Sequence, residues 1–545
     1  MSAATVAESF AAAVRGSPEA EFLHVPAPAA AYAPGAVSVG YRDADRRIGA
    51  LCRMYRAAGY RRGHRVALAL DNRADFFLHF LALNRLGISA VPLGGTLHAE
   101  EAARLLRHAD VALVVCLAEL VALVHGARPA DCGLAVAPAA SAALPAPRRE
   151  PAAADGEVAL LYTSGTSGAP KACILDETYF ATVGSHYVGI GGYCAFHEGR
   201  DRLITPLPVT HMNALACSLM AMLLTGGCLV QLDRFHPTSW WTSVRSSRAT
   251  CFHYLGVMPA MLLAAAPSTQ DDCSDRLRFG FGAGVDPRHH AAFEARFRVP
   301  LIEAWAMTET GGSAWITASE EPRHVGERCF GKPPPTLDWL LVDRSGAQAA
   351  RGEPGELLVR RRGPDPRRGF FCGYYKDDAA TQAAWQGGWF HTGDVARAGA
   401  DGSLYFVDRL KNVIRRSGEN IAAVEVESAL LQDEAVAACA VTAIADELRG
   451  EEVFAFIVAR GAAGPHPDAQ AGAALAAAIQ ARCRARLAYH KIPAYIAFRA
   501  QLPQTASQKI ARSELQCGAA EAVAIGAAHD LRAAKRRHTR AEGCA

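Results

Sequence analysis

This sequence has little net charge, no disulfide pattern and few long apolar runs. The formal net charge is +3, which is too small to indicate a nucleic-acid partner. The fifteen cysteines are scattered, and none forms a C-x-x-C pair. In a chain of this length, that pattern is typical of a reduced, cytoplasmic protein that uses cysteine as a small apolar residue. The N-terminus has no basic region followed by an apolar run, so we expect no signal peptide.

One uncharged stretch, residues 212–232, has the length of a membrane span. Polar residues interrupt it, and the glycine pair at 226–227 would break a helix there. Because a spanning helix needs about 20 mainly apolar residues, we expect no membrane span. We predict instead a buried helix to about Leu224, a glycine turn and a buried strand over 228–232.

The chain of 545 residues exceeds the size of one ordinary core, and 50% of its residues are hydrophobic. Its first part alternates short apolar runs with amphipathic patterns of helical spacing. This alternation predicts an α/β fold with parallel sheets. The predicted elements are a helix over 41–59, a strand over 65–70, a helix that ends at Gly87, and strands over 88–93 and 111–116.

The chain is organised around the stretch at 158–171. An apolar run predicts a short buried strand, and a loop of small and hydroxylated residues follows it. Glycine lets backbone N–H groups approach an anion closely, hydroxyls add donors, and Lys171 supplies a positive charge. We therefore predict a phosphate-binding loop, against the alternative of a polar surface turn. The loop consists of Thr163, Ser164, Gly165, Thr166, Ser167 and Gly168.

This loop does not fit the two common phosphate-binding patterns. A Walker A motif requires G-x-x-x-x-G-K followed by Ser or Thr. Counting from Gly165, Pro170 occupies the place of the last glycine, and Ala172 follows the lysine. The kinase pattern G-x-G-x-x-G fails as well. The loop resembles instead the signature loop of the adenylate-forming superfamily, which includes acyl-CoA synthetases, peptide-synthetase adenylation domains and luciferases.

Further stretches resemble the motifs of this superfamily in the same order. His211, in PVTHMNA, matches the residue at the acyl pocket, and AWAMTET matches the aromatic-Gly-x-Thr-Glu motif. The resemblance implies that Glu309, which follows Thr308 just past the end of a strand, holds magnesium together with Thr163. It also implies an adenine site, with Ala306 where glycine is usual. That site would consist of Gly282, Ala283, Gly284, Ala304, Trp305, Ala306 and Met307.

Later motifs resemble the ribose site and the hinge of the superfamily. By this resemblance, Asp394 holds the ribose hydroxyls, and Arg409 helps to hold the ribose and phosphate. Lys411 falls at the hinge where the small C-terminal domain begins.

The last two motifs concern coenzyme A and the adenylation step. Gly418, which Glu419 follows, matches the loop that approaches coenzyme A in thioester-forming members. The stretch RRSGENI looks most like the ligases of the carnitine and crotonobetaine type. Lys509 matches the adenylation lysine, with Gln508 in place of the usual glycine.

The resemblance implies two domains. A large N-terminal domain over 1–410 would have mixed and parallel sheets flanked by helices and would carry the ATP and acid site. A small, mobile α+β domain over 411–516 would follow the hinge. We predict that the basic tail over 517–545 is disordered.

The implied activity is ATP-dependent ligation of a carboxylic acid to coenzyme A. An acyl-adenylate would form with release of pyrophosphate, and an acyl-CoA thioester would follow with release of AMP. ATP, Mg²⁺ and coenzyme A are the implied cofactors, and the partner is a small-molecule acid. Alternatives are an adenylation enzyme that loads a carrier protein, a non-catalytic nucleotide sensor and a luciferase-like oxidation. The sequence leaves the oligomeric state open, including a homodimer.

Overall fold

The computed structural model describes residues 4–94, 99–127, 134–163, 171–268, 271–343, 345–416, 419–446, 449–460, 469–484, 486–504 and 510–535. The chain divides into two compact units. The first is Met1–Thr392 with Arg397–Phe406, and the second is Gly393–Ala396 with Val407–Ala545. The second unit therefore starts a few residues before the predicted boundary at 411 and takes in one earlier segment.

The helices lie in both units. Their bounds are α1 Val6–Gly16, α2 Tyr41–Ala57, α3 Ala74–Arg85, α4 Ala99–His108, α5 Val121–Ala127, α6 Glu177–Gly189, α7 Leu219–Thr225, α8 Trp240–Ser246, α9 Val257–Leu263, α10 Pro287–Phe297, α11 Asp378–Ala384, α12 Ala423–Leu430, α13 Ala469–Cys483 and α14 Arg512–Ala524.

The strands form separate sheets. Their bounds are β1 Glu21–Val25, β2 Val37–Gly40, β3 Arg65–Ala69, β4 Ser89–Pro92, β5 Leu113–Cys116, β6 Ala135–Pro138, β7 Glu157–Thr163, β8 Lys171–Asp176, β9 Arg202–Thr205, β10 Cys228–Gln231, β11 Cys251–Leu255, β12 Phe279–Ala283, β13 Leu301–Trp305, β14 Ile316–Thr317, β15 Cys329–Gly331, β16 Leu337–Val342, β17 Gly355–Arg361, β18 Gly373–Tyr374, β19 Phe390–Ala398, β20 Leu404–Arg409, β21 Val413–Arg416, β22 Glu419–Ala422, β23 Val436–Asp446, β24 Gly450–Ala459, β25 Tyr495–Phe498 and β26 His529–Asp530.

The first unit contains two large sheets, with strand orders β14-β13-β12-β11-β9-β10-β1-β2 and β18-β8-β7-β4-β3-β5-β6. Their central strands pair in parallel, as in β9–β11, β11–β12 and β3–β4. Antiparallel pairs lie towards the edges, as in β13–β14 and β7–β8. The predicted α/β class is confirmed, with these sheets mixed rather than wholly parallel. A third sheet has the order β15-β20-β19-β17-β16.

Central elements are apolar because both of their faces are covered. Every residue of β3, β4 and β5 is buried, which explains the continuous apolar runs in the sequence. The helix α3 is buried along nearly its whole length and is correspondingly apolar on all sides. The described cysteines are also buried, except Cys372 and Cys517, as their apolar surroundings predicted.

A buried ion pair joins separated strands of the second sheet. The Arg65 guanidinium donates to both carboxylate oxygens of Glu157, at 2.7 and 2.8 Å, and the Ser89 hydroxyl donates to the same carboxylate at 2.6 Å. The Arg65 and Glu157 side chains are almost fully buried. Because the strand order is β7-β4-β3, this contact ties β3 to β7 across the intervening strand β4, which carries Ser89.

The stretch 212–232 forms a short helical turn, a helix and a strand. Residues Asn213–Ser218 form a turn of π-helix that continues as α7, and Gly226 ends the helix in a left-handed conformation with φ of 64°. The strand β10 follows, close to the predicted arrangement. Within the described ranges, no helix has both the length and the apolar character needed to cross a membrane.

The second unit contains a sheet with the order β22-β21-β24-β25-β26, and β23 pairs with β24. The prediction of a disordered tail from 517 is wrong for residues up to 535. The helix α14 buries Leu515, Ala519 and Ala522 in an apolar cluster, and β26 pairs with β25. The Lys535 ammonium pairs with the buried Glu452 carboxylate at 2.6 Å. The alanine-rich composition concealed the apolar face of α14, and residues 536–545 lie outside the described residues.

Candidate active site

The predicted phosphate loop connects β7 to β8. These strands pair in antiparallel fashion with Thr163 opposite Lys171, so the two ends of the loop are neighbours. The residues between them, Ser164 to Pro170, lie outside the described residues. The Thr163 hydroxyl donates to the Glu309 carboxylate at 3.4 Å, although 146 positions separate the two in the chain.

Glu309 follows β13 and is largely buried, with 7% of its surface exposed. Besides Thr163, the Tyr374 hydroxyl donates to its carboxylate at 3.0 Å. The Lys171 ammonium lies 4.7 Å from the centre of the Tyr374 ring. Burial and the neighbouring Glu309 charge hold the pKa of the Cys173 thiol well above its usual value. A carboxylate, two hydroxyls and an ammonium group therefore meet where the loop begins and ends.

The donor set at this point suits magnesium. Carboxylate and hydroxyl oxygens are hard ligands, and Mg²⁺ commonly takes one or two protein oxygens and completes its shell with water and phosphate. Within the part of the chain that the structure describes, no cluster of three or more His, Cys, Asp or Glu residues could hold a metal. An ion here would therefore depend on phosphate oxygens as well, which fits a site that forms only with a nucleotide.

The glycines in and directly after β12 differ in the space around them, which bears on the predicted adenine site. A Cβ atom on Gly282 would lie 2.2 Å from the Tyr254 carbonyl oxygen, and one on Gly280 would lie 2.3 Å from the Phe252 ring. These two glycines are needed because β11 packs against β12. Gly284 is different, since it has a φ of 77° and nothing within 4 Å of the Cβ position. The open part of the predicted adenine site is thus Ala283 and Gly284, which are both exposed.

A buried carboxylate that was not predicted holds the turn after β12. Glu303 accepts hydrogen bonds from the backbone N–H groups of Gly284 and Val285, at 3.0 and 3.2 Å. The Tyr254 hydroxyl also donates to it at 2.7 Å. Burial raises the pKa of Glu303. The only sequence signal was a charged residue inside the otherwise apolar strand LIEAW.

The other predicted acyl and adenine residues lie near the ends of β9 and β13. Trp305 is 6% exposed and has the Phe330 ring as a neighbour, with 6.1 Å between ring centres. His211 is half-buried, and its carbonyl accepts the Leu215 N–H at 3.1 Å just before the π-helical turn. The remaining predicted residues of β13 and the segment after it are partly exposed, namely Ala304, Ala306, Met307 and Thr308.

In the second unit, Arg409 and Asp394 form an ion pair of 2.7 Å, with 45% and 4% of their side chains exposed. The backbone of Lys411 lies in a short turn over Leu410–Asn412. The backbone of Glu419 begins β22. Gly418 and Lys509 lie outside the described residues, so their predicted roles stay predictions.

Comparison with known proteins identifies the family. Residues 10–375 match the family described as AMP-binding enzyme, and residues 425–509 match the AMP-binding enzyme C-terminal domain. The chain belongs to the AMP-binding enzyme family. This confirms the resemblance to the adenylate-forming superfamily.

Curated relatives of this AMP-binding enzyme extend over most of its length. It is 31% identical to the sulfoacetate–CoA ligase of Cupriavidus necator, over 86% of this chain and 90% of that protein. It is 26% identical to the crotonobetaine/carnitine–CoA ligase of Citrobacter koseri, over 87% of this chain and 92% of that protein. Its fold is similar to that of ATP-bound MatB from Rhodopseudomonas palustris, with a TM-score of 0.77 and 22% identity over 94% and 98% of the two chains.

Proposed function

We propose that this AMP-binding enzyme is an AMP-forming carboxylic acid–CoA ligase. The observation that carries the proposal is the contact of Thr163, Glu309 and Tyr374 at the ends of the predicted phosphate loop. Both family domains are matched, and the two curated relatives are named as CoA ligases. Among the alternatives, carrier-protein loading shares the adenylation step and differs only in the thiol acceptor.

The first half-reaction joins two anions, because a carboxylate oxygen attacks the α-phosphate of ATP and pyrophosphate leaves. Catalysis must therefore come mainly from charge neutralisation and alignment. Thr163 and Glu309 would hold Mg²⁺, which when bound would offset phosphate charge. Lys171 and the loop after Thr163 would hold the β- and γ-phosphates, and Tyr374 would keep the Glu309 carboxylate in position.

The remaining groups have separate proposed roles. Asp394 would accept hydrogen bonds from the ribose hydroxyls, with its orientation maintained by Arg409, which pairs with it at 2.7 Å. Lys509 would bridge the carboxylate and the α-phosphate oxygens during adenylation. In the second half-reaction, the coenzyme A thiolate attacks the acyl carbon, AMP leaves, and the backbone around Gly418 would lie beside coenzyme A.

The acid is proposed to be small. Both curated relatives are named for small acids that carry a second polar group, sulfoacetate in one case and crotonobetaine or carnitine in the other. The Ala306 methyl group, in place of the usual glycine, would narrow the space behind the Thr-Glu motif and so disfavour long acyl chains.

A panel of acids with the full-length chain, ATP and Mg²⁺ tests the function. We expect acid-dependent pyrophosphate release without coenzyme A, and an acyl-CoA thioester in the mass spectrum when coenzyme A is added. Release of pyrophosphate without any thioester would favour carrier-protein loading. ATP binding without pyrophosphate release for any acid would overturn the proposal in favour of a nucleotide sensor.

A further inference from the structure

Three side chains form a hydrogen-bonded relay behind the π-helical turn. Tyr187 on α6, His253 on β11 and Asn213 at the start of the turn are its members. The Tyr187 hydroxyl lies 2.7 Å from His253 Nε2, and His253 Nδ1 lies 2.6 Å from Asn213 Oδ1. Tyr187 and His253 are completely buried, whereas Asn213 is partly exposed. The relay therefore runs from the interior of the first unit to its accessible surface.

The direction of each hydrogen bond follows from the number of protons available. Within the described part of the chain, the only hydrogen-bond contact of the Tyr187 hydroxyl is His253 Nε2, so this buried phenol donates to that nitrogen. Nε2 is then unprotonated, and neutral His253 carries its proton on Nδ1. Burial favours the neutral ring and lowers its pKa to about 3. Nδ1–H consequently donates to Asn213, which must present its carbonyl oxygen inward.

Ser218 supports the same assignment. Its hydroxyl donates to the Asn213 backbone carbonyl at 3.0 Å, which leaves its oxygen lone pairs facing His253 Nδ1 at 2.9 Å. Both neighbours of Nδ1 are thus acceptors, so Nδ1 must be the donor. With the carbonyl oxygen of Asn213 directed inward, its NH₂ group is on the opposite side of the amide. In the described residues, that NH₂ group donates no hydrogen bond.

Asn213 lies close in the chain to His211, the residue predicted at the acyl site. Asn213 follows β9 two residues after His211, and β9 pairs in parallel with β11. The carboxyl ends of parallel strands meet at one edge of a sheet, where ligands of open α/β sheets bind. Ala283 and Gly284 are exposed at the same edge. A turn of π-helix is uncommon, and such turns often occur at functional sites.

We propose that Asn213 is a specificity-determining residue whose NH₂ group donates to an acceptor oxygen at the end of the acid remote from its carboxylate. Tyr187 and His253 are positioning residues. They prevent the Asn213 amide from rotating by half a turn, which would exchange its oxygen and its NH₂ group. The preferred acids then carry a sulfonate, hydroxyl or carbonyl oxygen at that end, rather than a methyl group. The inference rests on the proposed ligase function and deepens it.

Matched acid pairs test the proposal in pyrophosphate release by the full-length chain. Sulfoacetate and 3,3-dimethylbutanoate have similar shapes, as do 3-hydroxypropanoate and butanoate, and only the first of each pair has acceptor oxygens at its remote end. We expect the wild type to favour the acceptor acid of a pair at least about tenfold in kcat/KM.

Asn213→Leu should reduce that ratio of kcat/KM values to near one. In this variant, Ser218 Oγ would still accept the hydrogen bond from His253 Nδ1, so the buried imidazole N–H keeps a partner.

Two further variants separate positioning from folding. Asn213→Asp keeps the size of the side chain but cannot donate, so it should lose the same preference. Tyr187→Phe should lower the ratio several-fold through KM of the acceptor acid, because Nε2 loses its donor and the imidazole can change tautomer. Tyr193→Phe is the matched control, since the Tyr193 hydroxyl contacts Glu321 instead. Its acid preference should equal that of the wild type.

The outcomes distinguish this inference from the proposed function. A wild type that adenylates acids without favouring the acceptor member of either pair would overturn the inference and leave the ligase function standing. An Asn213→Leu variant that keeps the wild-type preference would do the same. If no acid supports pyrophosphate release, both proposals fall together.

Discussion

Single residues matter here mainly through charge, because the proposed reaction brings two anions together. Around Glu309, the Thr163 and Tyr374 hydroxyls both donate to the same carboxylate oxygen, Oε1, so that oxygen has a defined position. Sequence motifs predicted Thr163 and Glu309. They could not predict Tyr374, which lies 65 positions from Glu309 and meets it only because β18 pairs with β8.

Lys509→Ala should nearly abolish adenylation. Loss of a charged donor to the transition state typically costs a hundredfold to a thousandfold in rate. Acid-dependent ATP–pyrophosphate exchange should fall by that factor, whereas thioester formation from a preformed acyl-adenylate should be largely retained. Lys491→Ala is a suitable control, because that lysine pairs with Glu425. An equal loss in both half-reactions would contradict the role assigned to Lys509.

Tyr374→Phe should weaken the use of Mg²⁺. The phenyl ring is kept, but the Glu309 carboxylate loses a donor at 3.0 Å. Loss of a hydrogen bond that orients a metal ligand typically lowers metal affinity about 10- to 100-fold. The Mg²⁺ concentration for half-maximal pyrophosphate release should therefore rise by about that factor. Tyr375→Phe, which removes a hydroxyl bonded to Asp110 instead, should leave it unchanged; equal Mg²⁺ dependence in all three proteins would remove Tyr374 from the site.

At the scale of elements, the strand order determines which motif residues become neighbours. The phosphate loop has its two ends side by side because β7 and β8 pair directly. The predicted strands and helices of the first unit formed where apolar runs and helical spacing indicated. The role of Gly282 at the adenine site stays a prediction, because a glycine that makes room for a neighbouring aromatic residue, here Tyr254, has the same sequence signature as one that makes room for a ligand.

The ion pair between Arg65 and Glu157 should contribute strongly to the stability of the second sheet. Arg65→Ala leaves a buried carboxylate without its cation, which typically costs about 3–5 kcal/mol. Urea unfolding should show this as a large decrease in the midpoint. Arg62→Ala removes an exposed pair with Asp155 and should cost less than about 1 kcal/mol.

A double variant distinguishes the effect of the unpaired charge from the effect of lost packing. Arg65→Met combined with Glu157→Leu removes both charges, so it should be less destabilised than Arg65→Ala alone. If the double variant is as unstable as the single one, the cost arises from packing and not from an unpaired charge.

At the scale of the whole molecule, we propose that the small second domain is mobile and that its movement accompanies the change from adenylation to thioester formation. The resemblance to the superfamily implies a hinge at Lys411, where the small domain begins. We propose that the turn over Leu410–Asn412 supplies this hinge, since it follows β20 at the start of the second unit.

Lys411→Pro should therefore impair the thioester step more than adenylation. Proline fixes φ near −65° and removes a backbone N–H, which restricts rotation at this position. Separate single-turnover measurements of pyrophosphate release and of thioester formation provide the test. Wild-type rates for both half-reactions would exclude residue 411 from the hinge.

By itself the sequence determined the class of the fold, the order of the motifs and the family, because apolar periodicity and short motifs are local properties of the chain. Only the tertiary structure brought Tyr374 to Glu309, Glu303 to the turn after β12, and Tyr187 to Asn213 through His253. It also placed Lys535 against Glu452, in a segment that the composition had predicted to be disordered. These contacts join residues far apart in the chain, and strand pairing and burial select them, so no local pattern predicts them.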